Sequence, residues 1–317
     1  MIEKRTALIV GAGGFVGEYL IKELSSNGWE VCATKLPAET INTEASCSVC
    51  DMDILDTESI ERVLNDKKPD CIFHLAAQSS VALSWKNPAL TVDVNIKGSV
   101  NLLESVRKSE INPRIILVGS GEEYGYSANL GTPMNESVMP DPASIYALTK
   151  YTQNMIGKLY HRAYGMDIIS VRAFNHIGPG QASQFVVSDF CRQVAEIESG
   201  LREPIIYVGN LSSMRDFTDV RDIVRAYREI ALKGISGNIY NVGSGKIISV
   251  REVLDMILAL SKVKISVETD KAKFRPADIP KIEADISKLK NDIGWMPEIS
   301  LDESLEDITE YWREEVK

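Results

Sequence analysis

The sequence predicts an α/β protein built on a Rossmann fold, a doubly wound parallel sheet with helices on both faces. Short apolar runs alternate with stretches of helical periodicity through the first half of the 317 residues. This alternation is typical of βαβ units, whose crossovers place helices on both faces of a parallel sheet. The second half breaks the alternation, and we expect it to add a smaller, discontinuous C-terminal α/β lobe.

The elements of the two lobes are expected in a simple order. Apolar segments in the first half predict strands at 7–10, 29–34, 47–51, 71–77 and 114–119. Helices are predicted between them at 18–24, 56–64, 88–109 and 145–164. The second half predicts a helix at 186–199, a strand at 205–208, two α-β units within 220–242, and helices near 250–261, 286–293 and 301–315.

A glycine-rich turn follows the first strand. Gly11, Gly14 and Gly17 are spaced by three residues, with Phe15 and Val16 between the last two, and a helix follows. Glycines there let the backbone turn tightly and approach a pyrophosphate, which the free N–H groups of the helix N-terminus bind. The sequence therefore predicts a dinucleotide-binding domain at 1–172 with 215–248, and a substrate-binding lobe at 173–214 with 249–317.

The end of the second predicted strand indicates which dinucleotide binds. Proteins that bind NAD carry an acidic residue about 20 residues after the glycines, where it holds the ribose 2′-hydroxyl. Here that region is Thr34-Lys35, and no acidic residue follows until Glu39. A cation suits a 2′-phosphate, so we expect NADPH, with NADH as the alternative if Lys35 is only a solvated loop residue. Asp53 and Ile54 follow the third strand, where the adenine is expected.

Composition excludes several classes of partner. The formal net charge of −10 argues against nucleic-acid or membrane-surface binding, because both need a basic face. No apolar run approaches membrane-spanning length and no signal peptide is recognised, so we expect a cytoplasmic protein. Cys47 and Cys50 form a Cys-x-x-Cys without a second Cys or His pair, so no metal site is predicted.

A tyrosine and a lysine four residues apart follow the fifth strand. Ser120 ends that strand, and Tyr146 and Lys150 share one face of the predicted helix. An ammonium beside a phenol favours the phenolate and is expected to lower the pKa of Tyr146, which suits proton exchange near neutrality. The pattern after a nucleotide-binding half predicts a catalytic site.

These motifs together resemble the extended short-chain dehydrogenase/reductases that act on nucleotide sugars. The resemblance covers essentially the whole chain and rests on the glycines, Asp53-Ile54, His74-Leu75-Ala76-Ala77-Gln78, Asn95, Ser120 and the Tyr146/Lys150 pair. It implies that Leu75, Ala76, Ala77 and Asn95 contact the cofactor. It further implies that Ser120 holds the sugar C4 oxygen, that Tyr146 exchanges its proton, and that Lys150 binds the nicotinamide ribose.

Within the family, the second half resembles the branch that acts on GDP-hexoses. The segments that carry this likeness are 172–181, 185–190, 208–217 and 275–278. By this resemblance Asn175, Arg215 and Arg275 hold the sugar and diphosphate, and guanidinium groups suit phosphate oxygens. The resemblance adds further substrate-binding residues, which are Gln78, Ser120, Glu122 and Asp278. The implied reaction is reduction of the C4 keto group of GDP-4-keto-6-deoxy-D-mannose to GDP-D-rhamnose.

Three alternatives remain open at this point. A GDP-mannose 4,6-dehydratase would use Glu122 as well, but Gly121 stands where the dehydratases carry an acidic or hydroxyl side chain. A nucleotide-sugar 4-epimerase would need the same residues and tightly held NAD. A nucleotide sensor would keep the fold without turnover, which the intact Ser120, Tyr146 and Lys150 disfavour. The resemblance also implies a homodimer that pairs through helices 88–109 and 145–164.

Overall fold

The computed structural model describes residues 5–41, 43–273 and 279–317. Its strands, numbered in chain order, are β1 Thr6–Val10, β2 Glu30–Lys35, β3 Ser48–Asp51, β4 Cys71–His74, β5 Arg114–Ser120, β6 Ile168–Ala173, β7 Asn175–Ile177, β8 Ile205–Val208, β9 Met214–Asp219, β10 Ile239–Val242, β11 Ile247–Ser249, β12 Ser266–Thr269 and β13 Lys281–Ile282.

The α-helices connect these strands. They are α1 Phe15–Ser26, α2 Thr57–Lys67, α3 Val81–Lys86, α4 Pro88–Val92, α5 Gly98–Lys108, α6 Ile145–Tyr164, α7 Val186–Glu198, α8 Val220–Lys233, α9 Val250–Ala259, α10 Ser287–Ile293 and α11 Leu301–Glu315. Short 3₁₀ helices span Gly121–Tyr124, Tyr126–Leu130 and Lys271–Lys273.

The main sheet confirms the predicted fold class. Within the described ranges it has seven strands in the order β10-β6-β5-β4-β1-β2-β3, and every neighbouring pair is parallel. The order reverses at β1, since the chain runs outward to β3 and then returns through β4 on the other side. A parallel sheet of this kind binds ligands at the carboxyl ends of its strands, near such a switch point.

Alternation along β1 shows why both faces of the sheet are covered. Ala7 and Ile9 point into a core formed with α1 and α8, whereas Leu8 and Val10 point into a core formed with α2 and α5. Successive side chains of a strand point to opposite faces, so a strand that is apolar at every position needs helices on both sides.

The second lobe is built on two smaller sheets within the described residues. Strand β9 pairs with β7, β11 and β13, and β8 pairs with β12. Helices α7, α9 and α11 enclose its core, which contains Phe190, Leu254 and Ile308. The segment 215–248, which we assign to the first lobe, divides between the two lobes. Strand β10 joins the large sheet and α8 packs against it, whereas β9 belongs to the four-stranded sheet of the second lobe. The domain boundaries therefore stay a prediction.

The predicted helix at 88–109 is interrupted. A π-helical turn at Asp93–Lys97 separates α4 from α5, and it carries the buried side chain of Asn95. Gly98 then begins α5 against Ile54, because a Cβ at Gly98 would lie 2.5 Å from the Ile54 Cδ1 atom. π turns inside helices are frequent at functional sites. Across the described residues, every helix is too short or too polar to cross a membrane.

Candidate active site

The glycine turn after β1 fits a bound pyrophosphate. Gly11 has φ +81°, and a Cβ on it would lie 2.6 Å from Ala76 Cα. A Cβ on Gly17 would lie 2.1 Å from the carbonyl oxygen of Ala12, so α1 can approach β1 only because residue 17 has no side chain. Gly14 caps α1 without a side-chain hydrogen bond. The first N–H groups of α1 are thereby left for an anion.

A cavity of about 700 Å³ opens from this turn between the two lobes. Most of the predicted site residues line it. They are Gly11, Gly14, Phe15, Val16, Gly17, Lys35, Asp53, Ile54, Leu75, Ala76, Ala77, Ser120, Glu122, Tyr146, Lys150 and Asn175. The structure thus brings together residues from β1 to β7, and the cavity is large enough for a dinucleotide and part of a substrate.

Five other predicted residues do not line this cavity or cannot be placed. Arg275 and Asp278 lie outside the described residues. Arg215 lies on β9 away from the cavity, buried, and its Nη1 donates to the Met214 carbonyl at 2.9 Å. Gln78 and Asn95 do not reach the cavity wall, so their predicted contacts with ligand stay predictions.

Asn95 joins the loop after β4 to α6. Its Oδ1 accepts from the Gln78 backbone N–H at 2.8 Å, and its Nδ2 donates to the Gln78 carbonyl at 3.1 Å. The same Nδ2 donates to Thr149 Oγ1 at 2.9 Å. Because Thr149 is next to Lys150, Asn95 holds the loop after β4 against the helix that carries Tyr146 and Lys150.

Lys35 has an ion-pair partner that the sequence did not reveal. Its Nζ lies 2.7 Å from Asp51 Oδ1 on the neighbouring strand β3, where Lys35 and Asp51 are register partners. The Glu39 carboxylate accepts from the Leu36 N–H at 3.0 Å and lies beside Gly13, where an added Cβ would be 2.8 Å from Glu39 Oε2. Lys35 and these two carboxylates lie near Asp53, at the end of the cavity where the adenosine is predicted, which we call the predicted adenosine end.

The end of β5 places three residues at the other end of the cavity. Ser120 is buried, and its Oγ accepts from the Glu122 N–H at 3.2 Å as the chain enters a 3₁₀ turn. Glu122 lines the cavity. Gly121 faces the Phe174 ring, and a Cβ there would lie 3.0 Å from two ring atoms. A side chain at this position would require Phe174 to move.

Helix α6 presents Tyr146 and Lys150 to the same end of the cavity. Ser144 caps the helix by accepting from the Ala147 N–H at 3.1 Å, which fixes Tyr146 in the first turn. Both side chains are almost fully buried, at 9% and 3% exposed. The Ser120 hydroxyl faces the Tyr146 phenol closely enough to lower its pKa, against the effect of burial. The predicted Ser120, Tyr146 and Lys150 set is thus assembled from two elements.

The expected lowering of the Tyr146 pKa is wrong for this structure. Burial raises the pKa of Tyr146 to about 12, and the nearby Ser120 hydroxyl offsets only part of that effect. The ammonium of Lys150 donates instead to the Val118 carbonyl at 2.8 Å and to Gln153 Oε1 at 3.1 Å. Burial also lowers the pKa of Lys150 to about 8, opposed by the charge of Glu123.

Comparison with known proteins places the chain among nucleotide-sugar enzymes. The family described as GDP-mannose 4,6 dehydratase matches residues 8–308. The chain belongs to this family. It is 29% identical to a GDP-6-deoxy-D-mannose reductase of Pseudomonas aeruginosa, over 98% of this chain and 97% of that protein. It is 30% identical to a GDP-mannose 4,6-dehydratase of Vibrio cholerae, over 95% of this chain and 91% of the relative.

A solved structure supports the same placement. The structure of RMD from Pseudomonas aeruginosa complexed with NADPH superposes with a TM-score of 0.88 at 28% identity, covering 98% of this chain and 100% of that one. The predicted family and the predicted class, an enzyme of nucleotide-sugar metabolism, are confirmed.

Sequence reasoning did not assign two groups in this family member's cavity. The sequence shows Glu39 only as the first acidic residue after Lys35. No local pattern indicates that its loop folds back onto the glycine turn. His176 lines the cavity with its ring stacked on Phe15, centroids 6.2 Å apart. Its position after Asn175 was the available signal. Among the described residues, no cluster of three or more His, Cys, Asp or Glu is arranged to bind a metal ion.

The glycine turn predicts a sharp difference between two alanine variants. Gly17→Ala should lose about 1–3 kcal/mol of stability and most dinucleotide affinity, because its Cβ overlaps the Ala12 carbonyl. Gly14→Ala should keep the melting temperature, since its Cβ would meet only Gly11 O, at 3.8 Å. Thermal unfolding of both variants checks this. Equal melting temperatures would contradict the steric argument.

The pKa of Lys150 predicts an alkaline limit of activity. If the ammonium form is required, kcat/KM should be highest below about pH 8 and fall as the pH rises through the pKa of about 8. Tyr146, with a pKa near 12, stays protonated over this range. A pH-rate profile measures it, with Lys150→Met as the comparison. An unchanged alkaline limb in Lys150→Met would assign the limit to another group.

Proposed function

We propose that this protein reduces the C4 keto group of GDP-4-keto-6-deoxy-D-mannose, giving GDP-D-rhamnose, with NADPH as the hydride donor. The observation that carries the proposal is the contact between Gly121 and Phe174 beside an intact Ser120, Tyr146 and Lys150. A dehydratase needs an additional acid to help the C6 hydroxyl leave. The position expected to supply it has no side chain and has an aromatic ring against it.

The relatives support this choice of reaction and of cofactor. A GDP-6-deoxy-D-mannose reductase matches over nearly the full length of both chains, and RMD, whose structure matches well, is complexed with NADPH. The glycine turn fits a dinucleotide, because Gly11 and Gly17 leave space that a Cβ would fill. The first turn of α1 and Lys35 would hold its phosphates.

The residues of the site have separate roles in the proposed reduction. Bound NADPH supplies the hydride that C4 of the sugar receives. Tyr146 donates its phenolic proton to the C4 oxygen, and the raised pKa of Tyr146 keeps that proton in place before reaction. Ser120 donates a hydrogen bond to the same oxygen as negative charge develops. Lys150, when protonated, stabilises the phenolate that Tyr146 becomes. Asn175, at the cavity wall, would contact the sugar or diphosphate.

The second candidate function is dehydration of GDP-mannose. Glu122 favours it, because this carboxylate lines the cavity beside Tyr146 and its charge raises the pKa of the phenol. Such a carboxylate would serve as a base for the C5 proton. We place this reaction second because Gly121 has no side chain to act as the acid that helps the C6 hydroxyl leave.

The first experiment measures absorbance of the reduced nicotinamide with GDP-4-keto-6-deoxy-D-mannose as substrate. We expect stoichiometric oxidation of added NADPH by the purified protein, and a decrease in kcat of about 10²–10⁴-fold in Tyr146→Phe. Tyr151→Phe is the matched control on the same helix, because Tyr151 does not line the cavity. Conversion of GDP-mannose to the keto sugar, without consumption of added NADPH, would assign the dehydratase reaction instead.

The ion pair at the predicted adenosine end predicts opposite changes in cofactor preference. Lys35→Ala should lower kcat/KM for NADPH relative to NADH, because the 2′-phosphate loses a cation. Asp51→Asn should raise the same ratio, because it removes the carboxylate that lies 2.7 Å from the Lys35 ammonium. Steady-state kinetics with both cofactors measures the ratio. Unchanged ratios in both variants would remove Lys35 from cofactor selection.

The homodimer implied by the family resemblance stays a prediction. Helix α6 exposes Leu148 and Leu159, which are 51% and 58% accessible in the single chain. These apolar side chains lie on one of the two helices that the resemblance assigns to the interface. The cytoplasmic location also stays a prediction.

A further inference from the structure

We propose that Glu123 is a positioning residue, which ties the strand end bearing Ser120 to the helix face bearing Tyr146 and Lys150. This inference rests on the proposed function, because it concerns the same three residues. Glu123 itself does not line the cavity. Its side chain is fully buried behind the site, at 0% exposure.

The Glu123 carboxylate connects three elements. Its Oε1 accepts from the Ser120 backbone N–H at 2.9 Å and from Asn154 Nδ2 of α6 at 2.6 Å. Its Oε2 accepts from Arg172 Nε of β6 at 3.0 Å. Ser120 and α6 thus share a single carboxylate oxygen, so a shift of either one changes the geometry at the other.

Asn154 lies on the face of α6 that also carries Tyr146 and Lys150. Tyr146, Lys150 and Asn154 are spaced by four residues, so they lie on one face of the helix. The hydrogen bond to Asn154 therefore fixes the rotation of α6 about its axis and its position along that axis. Both determine where Tyr146 and Lys150 enter the cavity. Gly119 leaves the space for this contact, because its Cβ would lie 2.3 Å from both Glu123 Oε1 and Asn154 Nδ2.

Arg172 anchors the far side of the carboxylate. Its Nη1 donates to the Tyr124 hydroxyl at 3.0 Å, and its guanidinium lies 4.7 Å from the centre of the Tyr124 ring. The Tyr124 hydroxyl donates to Asn241 Oδ1 on β10 at 2.8 Å. The carboxylate is therefore bonded directly to β5, β6 and α6, and it is linked to β10 through Arg172 and Tyr124.

The energetics of buried ion pairs indicate that Glu123 and Arg172 contribute more to the positioning of the site residues than to the stability of the fold. A buried ion pair loses hydration on both ions, and replacement by apolar residues of similar volume is often neutral or stabilising. Removing only one partner leaves an uncompensated charge and is strongly destabilising. The test must therefore change Glu123 and Arg172 together.

The charge of Glu123 also favours the protonation states that the reduction needs. It raises the pKa of Lys150 against the effect of burial, and it raises the pKa of Tyr146. Three other titratable groups lie near this pair. Glu122 acts on Tyr146, Tyr227 is buried beside Tyr146, and the pKa of His74 is lowered by burial and further by the charge of Lys150. Loss of the Glu123 charge should therefore move the alkaline limit of activity to lower pH.

The test compares two double variants by the reaction that the wild type performs. Glu123→Leu with Arg172→Met removes the carboxylate and should lower kcat by about tenfold to a hundredfold, the effect of a misplacement of about 1 Å. Its Kd for NADPH should stay within twofold of the wild-type value. Glu123→Gln with Arg172→Met keeps an acceptor for Ser120 and Asn154, and should recover most of kcat with the alkaline limit at lower pH.

Two further variants separate position from folding. Asn154→Ala cuts only the link to α6, and should lower kcat without moving the pH limit. The matched control is Glu198→Leu with Arg313→Met, which removes another largely buried ion pair, 2.8 Å long, in the second lobe. This control should keep the wild-type kcat.

The outcomes distinguish this inference from the proposed function. A wild-type kcat in both the Leu/Met double variant and Asn154→Ala would overturn the positioning role, and so would equal losses in the Leu/Met and Gln/Met variants. If the Leu/Met double variant does not fold, the kcat values of Asn154→Ala and of the Gln/Met double variant test the positioning role in its place. A wild type that dehydrates GDP-mannose instead would overturn only the proposed function, since the same variants are then compared in that reaction.

Discussion

The close approach of the first helix to the first strand is the constraint on which the rest of the structure depends. At Gly17 the backbone of α1 comes so near to Ala12 that even a methyl group would overlap a carbonyl oxygen. That approach aims the helix N-terminus at the carboxyl edge of the sheet. The ends of β2, β3, β4 and β5 meet at the same edge, so one cavity collects their side chains, and the second lobe closes over it.

Electrostatics differ at the two ends of this cavity. At the predicted adenosine end, charges are exposed enough for solvent to reach them, and Lys35 and Asp51 partly cancel each other. At the end that carries Tyr146 and Lys150, burial dominates and favours the neutral forms of both residues. A carboxylate behind the site acts in favour of the lysine cation. The same residue types thus behave differently because their surroundings differ in hydration.

Local patterns made much of this predictable from the sequence. The glycine turn, the strand-helix alternation and the Tyr146/Lys150 spacing each depend on neighbours within one element, and the fold and family they predicted are confirmed. Contacts between distant segments were not predictable. Arg172 and Glu123 are 49 residues apart and read as ordinary charges, although they meet in the interior. The Tyr146 pKa was mispredicted because spacing shows which residues are neighbours, but not where an ammonium points.

Gly98 shows how a position outside the cavity controls its shape. It begins α5 behind Ile54, which lies in the cavity wall, and it does not itself line the cavity. Any larger residue at 98 would overlap Ile54 and displace it within the cavity wall. A library that randomises only the lining residues would therefore leave out a position that shapes the cavity.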